Sequence, residues 1–125
     1  MTKACVKIWG RKFKLDVVYD CYEGEAILPV QEQAYEGIIK RWSHVDASLN
    51  AVKRYCLEQY GDEIEGDTID NVFKYVMPQY LFILRNENKH TVALMCDFRF
   101  DPEHGLAIVF ENEKLSRIGE QDIVL

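Results

Sequence analysis

Met95-Cys96-Asp97-Phe98-Arg99-Phe100-Asp101-Pro102-Glu103-His104-Gly105-Leu106-Ala107-Ile108-Val109-Phe110 reads as a β-hairpin. Leu94, Cys96, Phe98 and Phe100 alternate with Met95, Asp97 and Arg99. Leu106, Ile108 and Phe110 alternate with the smaller Ala107 and Val109, so both arms carry the period of two that a strand requires. Asp101-Pro102-Glu103-His104-Gly105 supplies the turn chemistry. Asp101 can accept backbone N–H groups, Pro102 presets its own φ, and Gly105 can take positive φ where the chain re-enters the sheet. The spacing predicts a four-residue loop built on a type I turn.

Working outward, Asn112-Glu113 is a second tight turn that sets Glu111 opposite Lys114 and Phe110 opposite Leu115, so that Leu115 to Ile118 pairs back. On the other side, Gln79 to Arg85 carries apolar residues on both faces and reads as a central strand. It is joined through the polar turn Asn86 to Lys89 to the arm beginning at Thr91. Pro78 disfavours a helical Met77 and closes a short helical turn over Ile69 to Val76. The second half is therefore a meander.

Near the N-terminus, Cys5 to Trp9 is a short strand, and Gly10-Arg11 turns into Lys12 to Cys21. There Phe13, Leu15, Val17, Tyr19 and Cys21 share one face, opposite Lys12, Lys14, Asp16 and Asp20, which predicts a sheet with one wet side. Pro29 marks a helix start, and Ala34, Tyr35, Ile38, Ile39 and Trp42 follow at helical spacing. Ser43-His44-Val45 breaks this helix. Asp46 or Ser48 caps a second one, with Leu49, Val52, Tyr55, Cys56 and Tyr60 on one stripe and Gly61 at its end. The acidic stretch Asp62 to Asp67 has little to bury and reads as a mobile surface loop. The fold class is α+β. A single, mostly antiparallel sheet of about six strands in the order β-β-α-α-β-β-β-β carries two main helices on one face.

At 125 residues the chain suits one domain, 1–125. The first residues lack the pattern of a signal peptide, and no apolar run is long enough for a membrane span, so a cytosolic protein with no membrane partner is expected. A formal charge of −6 with no long Lys/Arg cluster speaks against nucleic-acid binding. Cys5, Cys21, Cys56 and Cys96 form no Cys-x-x-Cys pair, which excludes a zinc ribbon or dithiol motif and predicts free, mostly buried thiols.

Asp97, Asp101, Glu103, His104 and Asp122 form the only dense acid and imidazole group, and such groups can ligate hard or borderline metals. Set against this, Asp101 and His104 flank a proline turn whose backbone they can bond. Neither a metal nor any other cofactor is expected. As catalytic candidates, His104, Asp101 and Glu103 could serve a small hydrolase, with Cys96 or Cys21 as nucleophile. No oxyanion-hole motif accompanies them, and Cys96 lies on the face of Leu94 and Phe98. Gln121-Asp122 after Gly119 are expected to pin the last strand. Trp9, Tyr22, Tyr35, Trp42, Tyr55, Tyr60, Tyr75 and Tyr80 exceed what the core needs, and any that are exposed would favour a protein interface.

Four stretches carry a resemblance: Phe100-Asp-Pro-Glu-His-Gly-Leu-Ala-Ile-Val-Phe-Glu-Asn112, Ile118-Gly-Glu-Gln-Asp-Ile-Val-Leu125, Phe13 to Glu25 and Tyr75-Val-Met-Pro78. In these the chain resembles a family of small bacterial proteins described as a domain of unknown function. No catalytic residues carry over from it. Some similar domains lie beside toxin genes as immunity proteins, so the resemblance implies a protein partner. Two functions from different classes follow. The first is a binding protein, in its immunity-type form one that holds a toxin through an acidic surface. The alternative is a metal-dependent or Cys/His hydrolase built on the turn of Asp101, Glu103 and His104.

Overall fold

The computed structural model describes residues 2–125. Six strands, β1 (Lys3–Ile8), β2 (Arg11–Tyr19), β3 (Val76–Ile83), β4 (Thr91–Phe98), β5 (Leu106–Glu111) and β6 (Lys114–Gly119), form one sheet in chain order. All neighbours are antiparallel except β2 and β3. That pair is parallel because the chain crosses over between them through α1 (Pro29–Lys40), α2 (Trp42–Asp46) and α3 (Leu49–Tyr60). The fold is α+β, with a mostly antiparallel sheet and two main helices, α1 and α3.

Local chemistry explains the joints. Trp9 and Gly10 both have positive φ, as do Asn112 and Glu113, which gives the twist that two-residue hairpin loops need. The register Glu111 to Lys114 and Phe110 to Leu115 is the one expected. It slips one step further along, where Ser116 is extra on β6, a bulge on an edge strand. Pro29 occupies the first turn of α1. Gln31, which the pattern reading passed over, is fully buried there. Its Oε1 accepts from the N–H of Leu28 (2.9 Å), while its Nε2 donates to the carbonyls of Asp20 (3.1 Å) and Ile83 (3.2 Å). One amide thus caps the helix and ties it to the ends of β2 and β3.

Several expectations need correction. The helix that starts at Pro29 does break, but at Arg41, so that Trp42 and residues 43–45 lie in a separate short helix, α2. Neither Asp46 nor Ser48 caps α3 with its side chain. Both hold Trp9 instead, Asp46 Oδ1 accepting its backbone N–H (2.7 Å) and Ser48 Oγ its indole N–H (3.2 Å). Trp42 donates to the Lys7 carbonyl (2.7 Å) and His44 Nδ1 to that of Glu113, so α2 is fastened to both edges of the curled sheet. Gly61 is not left-handed but opens a 3-10 turn, and Ile64 in the acidic stretch is buried. β3 begins before Pro78, which sits at a register shift inside the strand, where a missing N–H does least harm. β1 and β2 end earlier than expected, at Ile8 and Tyr19, and β4 ends at Phe98, so the loop to β5 is longer than four residues.

The main core lies between the sheet and the helices. Ile8, Leu15, Val17, Leu81, Ile83, Leu94, Phe98, Ile108 and Phe110 face Ala34, Ile38, Val52 and Cys56. The opposite face is wet at β1, β2 and β6. On β3 to β5 the small residues Ala93 and Ala107, with Met95 and Val109, are fully buried under Val124 of the C-terminal 3-10 turn and between Tyr80, Phe82 and Leu84. Of the four thiols Cys56 and Cys96 are buried, Cys21 is half-buried and Cys5 is exposed, so the expectation of mostly buried thiols holds for two.

Candidate functional site

The β4–β5 hairpin tip brings Asp101 and His104 together. Gly105 N–H donates to the Asp101 carbonyl (2.9 Å) and His104 N–H reaches Asp101 Oδ1 (3.3 Å), which folds the two side chains onto one side. His104 Nδ1 then lies 3.0 Å from both carboxylate oxygens. This hydrogen bond, and next the carboxylate's charge, hold the imidazole above its ordinary pKa. Gly105 has φ +64°, as its place in the turn requires.

Glu120 joins the pair, with ligand atoms of Asp101, His104 and Glu120 all within 4.8 Å of one another. It was missed because β6 delivers it from outside the hairpin, although Gln121 N–H on the His104 carbonyl (3.1 Å) shows why the two segments meet. Gln121 Nε2 also donates to the Cys96 carbonyl (3.1 Å), so Gln121 does pin the chain end, whereas Asp122 is exposed. Glu103 is exposed beside His104, and Asp97 faces away into a separate groove. Of the five expected metal-type residues the tip therefore gathers two. Cys96 is fully buried, and burial pushes its thiol far up; burial likewise pushes Cys56 up to about 11. Cys21 belongs to another region, where it donates to Gln31 Oε1 and accepts from Arg85.

Above the tip, Phe100 is stacked between Tyr60 and Tyr75, with ring centroids 5.0 and 4.9 Å apart and planes nearly parallel. Phe98 meets Tyr60 and Phe100 edge-on. Such offset and T-shaped pairs each add about 0.5–1.5 kcal/mol to area burial, so the tip is rigidly seated on α3. Beside the stack opens a groove of about 560 Å³, walled by Phe73, Tyr75, Met77, Phe98 and Pro102, with Asp97, Arg99 and Lys74 among its lining.

A smaller hollow of about 280 Å³ shares Lys74 and Tyr75 with this groove and continues it along Glu65, Ile69 and Asp70. It leads onto the acidic segment. Asp62, Glu63, Glu65, Asp67 and Asp70 are all exposed, and no Lys or Arg lies between Tyr55 and Phe73. Buried Ile64 and Ile69 anchor this segment, so its acids are held in place on a surface next to aromatic walls.

No helix among the described residues is long and apolar enough to cross a membrane. Among families of known proteins, the model for a domain of unknown function matches residues 1–125. No curated protein and no solved structure matches the chain.

Proposed function

We propose that this chain, which belongs over residues 1–125 to the family described as Domain of unknown function (DUF6985), is a binding protein that holds a basic segment of another protein. The observation that carries the reading is the continuity of the acidic segment 62–70 with the aromatic groove of Phe73, Tyr75 and Phe98. Opposite charge steers a basic partner to the acids, and an apolar side chain entering the groove supplies the buried anchor that gives an interface most of its affinity. An immunity-type role, with a toxin as the partner, is one form of this function.

The alternative is a hydrolase on Asp101, Glu103 and His104. Asp101 holds His104 Nδ1 as a carboxylate would in a catalytic couple, but His104 has no thiol or hydroxyl nucleophile among its bonded neighbours. A general base needs a nucleophile or a positioned water within reach, so the groove supports binding more directly than it supports turnover.

The test uses a Lys/Arg-rich peptide carrying one tryptophan, with an acidic peptide of the same length as control, followed by fluorescence anisotropy. Saturable binding of the basic peptide alone is expected, weakening at high salt and falling at least about tenfold in the double variant Glu63→Lys/Glu65→Lys. Equal binding of both peptides, or indifference to the charge reversal in a variant that melts like the parent, overturns the reading.

A further inference from the structure

The β1–β2 hairpin turns one face away from the helices. On it lie Lys3, Cys5 and Lys7 of β1 and Lys12, Lys14, Asp16 and Val18 of β2. The one acid there, Asp16, is bonded to Lys3. Lys7, Lys12 and Lys14 are exposed and have no ion pair among the described residues. The neighbouring β3 has no acid between Val76 and Ile83, and Asp46 of α2 is engaged by the Trp9 N–H at the hairpin turn. Three unmatched cations thus share one face of a chain whose formal charge is −6.

This placement opposes folding. Val17 N–H donates to the Thr2 carbonyl (3.0 Å), which sets the phase of the ladder. Even-numbered residues of β1 bond β2, and the odd ones form the non-hydrogen-bonded pairs, in which side chains come closest. Lys7 stands opposite Lys12 in such a pair, and like charges directly opposite repel. Lysine on an edge strand guards it against stray pairing. Lys12 and Lys14 are on β2, which has a strand on either side, so edge protection does not account for them.

The same phase leaves the edge of the sheet open. The N–H and C=O groups of Lys3 and Cys5 and the N–H of Lys7 point away from β2, while the Lys7 carbonyl accepts from Trp42. Beside this edge lies a hollow of about 300 Å³, with Cys5, Lys7 and Lys12 in its lining. A second copy of the chain does not match the edge in charge. Neither β1, Lys-Ala-Cys-Val-Lys-Ile, nor the opposite edge strand β6, Lys-Leu-Ser-Arg-Ile-Gly, contains an acid. An extended segment with acids at alternate positions does match. Its peptide groups would meet those of Lys3 and Cys5, and its acids would fall on the lysine face. β2 would be two strand spacings away, about 10 Å, within the joint reach of a lysine and a glutamate.

We propose that β1 is a docking edge for an acidic, extended segment of another protein, which adds to the sheet as a seventh strand and is held in register by Lys3, Lys7, Lys12 and Lys14. This surface is separate from the acidic segment 62–70 and its groove.

The experiment titrates the full chain with a fluorescein-labelled ten-residue peptide of alternating glutamate and threonine, followed by anisotropy, and repeats the titration by NMR with unlabelled peptide. Saturable binding that weakens with salt is expected, with the amides of Lys3, Cys5 and Lys7 gaining protection from exchange. Cys5→Pro removes an outward N–H and spares the β1–β2 ladder, so it should weaken binding at least about tenfold, whereas Cys5→Ser should bind like the parent. Lys12→Thr should weaken binding while leaving the melting temperature equal or higher, because it relieves the repulsion from Lys7. Unchanged binding by a Cys5→Pro variant that melts like the parent, or binding without protection of those three amides, overturns strand addition. A single-stranded oligonucleotide or anionic lipid vesicles that bind the lysine face more tightly than the peptide overturn the assignment of the partner.

Discussion

Replacing Gly105 with alanine tests the hairpin tip most directly. At φ +64° a Cβ is strained by about 1 kcal/mol. The new atom would also sit 2.9 Å from the Cys96 carbonyl, 2.5 Å from Gln121 Nε2 and 2.8 Å from Gln121 Cδ. The glutamine can swing away, but only by releasing its bond to the Cys96 carbonyl, a loss of about 1 kcal/mol. The carbonyl is part of β4 and can yield only if the strand moves. Together these effects amount to about 2–4 kcal/mol, a drop in Tm of order 10 °C for a chain of this size. Urea denaturation of Gly105→Ala, Gln121→Ala and the double variant separates the parts. Gln121→Ala should cost about 1 kcal/mol, and its effect should not add fully to that of the glycine change, because both remove one bond. Gly105→Asn, which tolerates left-handed backbone better, should recover the strain and not the clash. A Gly105→Ala midpoint equal to the parent's would refute the close approach and the conformation alike.

Two further outcomes follow from buried or paired polar groups. Gln31→Ala removes three bonds to the backbone at once, with that from the Cys21 thiol, and takes this partner from the Leu28 N–H and the Asp20 carbonyl, while the Ile83 carbonyl keeps the Asp20 N–H. A loss of roughly 3 kcal/mol or more is expected by denaturant unfolding, and a loss below about 1 kcal/mol would show that water replaces the amide freely. The His104–Asp101 pair raises the histidine's folded pKa above its unfolded value of 6.5. Its stabilisation is therefore complete below 6.5 and is lost as the pH rises through the raised folded value. Titration of the His104 ring protons should show the upward shift in the parent and its disappearance in Asp101→Asn; identical titration curves would deny the pairing.

The strands were legible wherever one local signal sufficed. The alternation of Leu106, Ile108 and Phe110 with Ala107 and Val109 announced two faces, and Asn112-Glu113 announced its own register. What could not be read depended on residues far apart in the chain. Ser48 and Asp46 have the chemistry of helix caps, but Trp9, brought up by the first hairpin, takes their oxygens. Residues 93 and 95 belong to a dry face only because Val124 folds back over them. At the hairpin tip, Asp101 and His104 lie three positions apart and were found. Glu120 arrives from the next strand, and His90 meets Glu113 across two hairpins, so neither meeting leaves a mark in local spacing. Gln31 did leave one: a glutamine three positions into a proline-started helix is half of a capping box, hidden here by a leucine in the capping position.

The single parallel seam between β2 and β3 bears on how the chain acquires its structure. β1 with β2, and β3 through β6, are each joined by short turns, so their contacts close small loops and can form early at little entropic cost. The seam instead brings together Asp16 and Tyr80 across the whole helical crossover. That closure is rewarded only when α1 and α3 have something to cover, and Gln31 bonds Asp20 and Ile83, one residue from each side of the seam. Assembly would then run through two preformed ribbons that dock late, with the helices as the latch. Substitutions at the seam should mainly speed unfolding, while those in the C-terminal meander should slow folding.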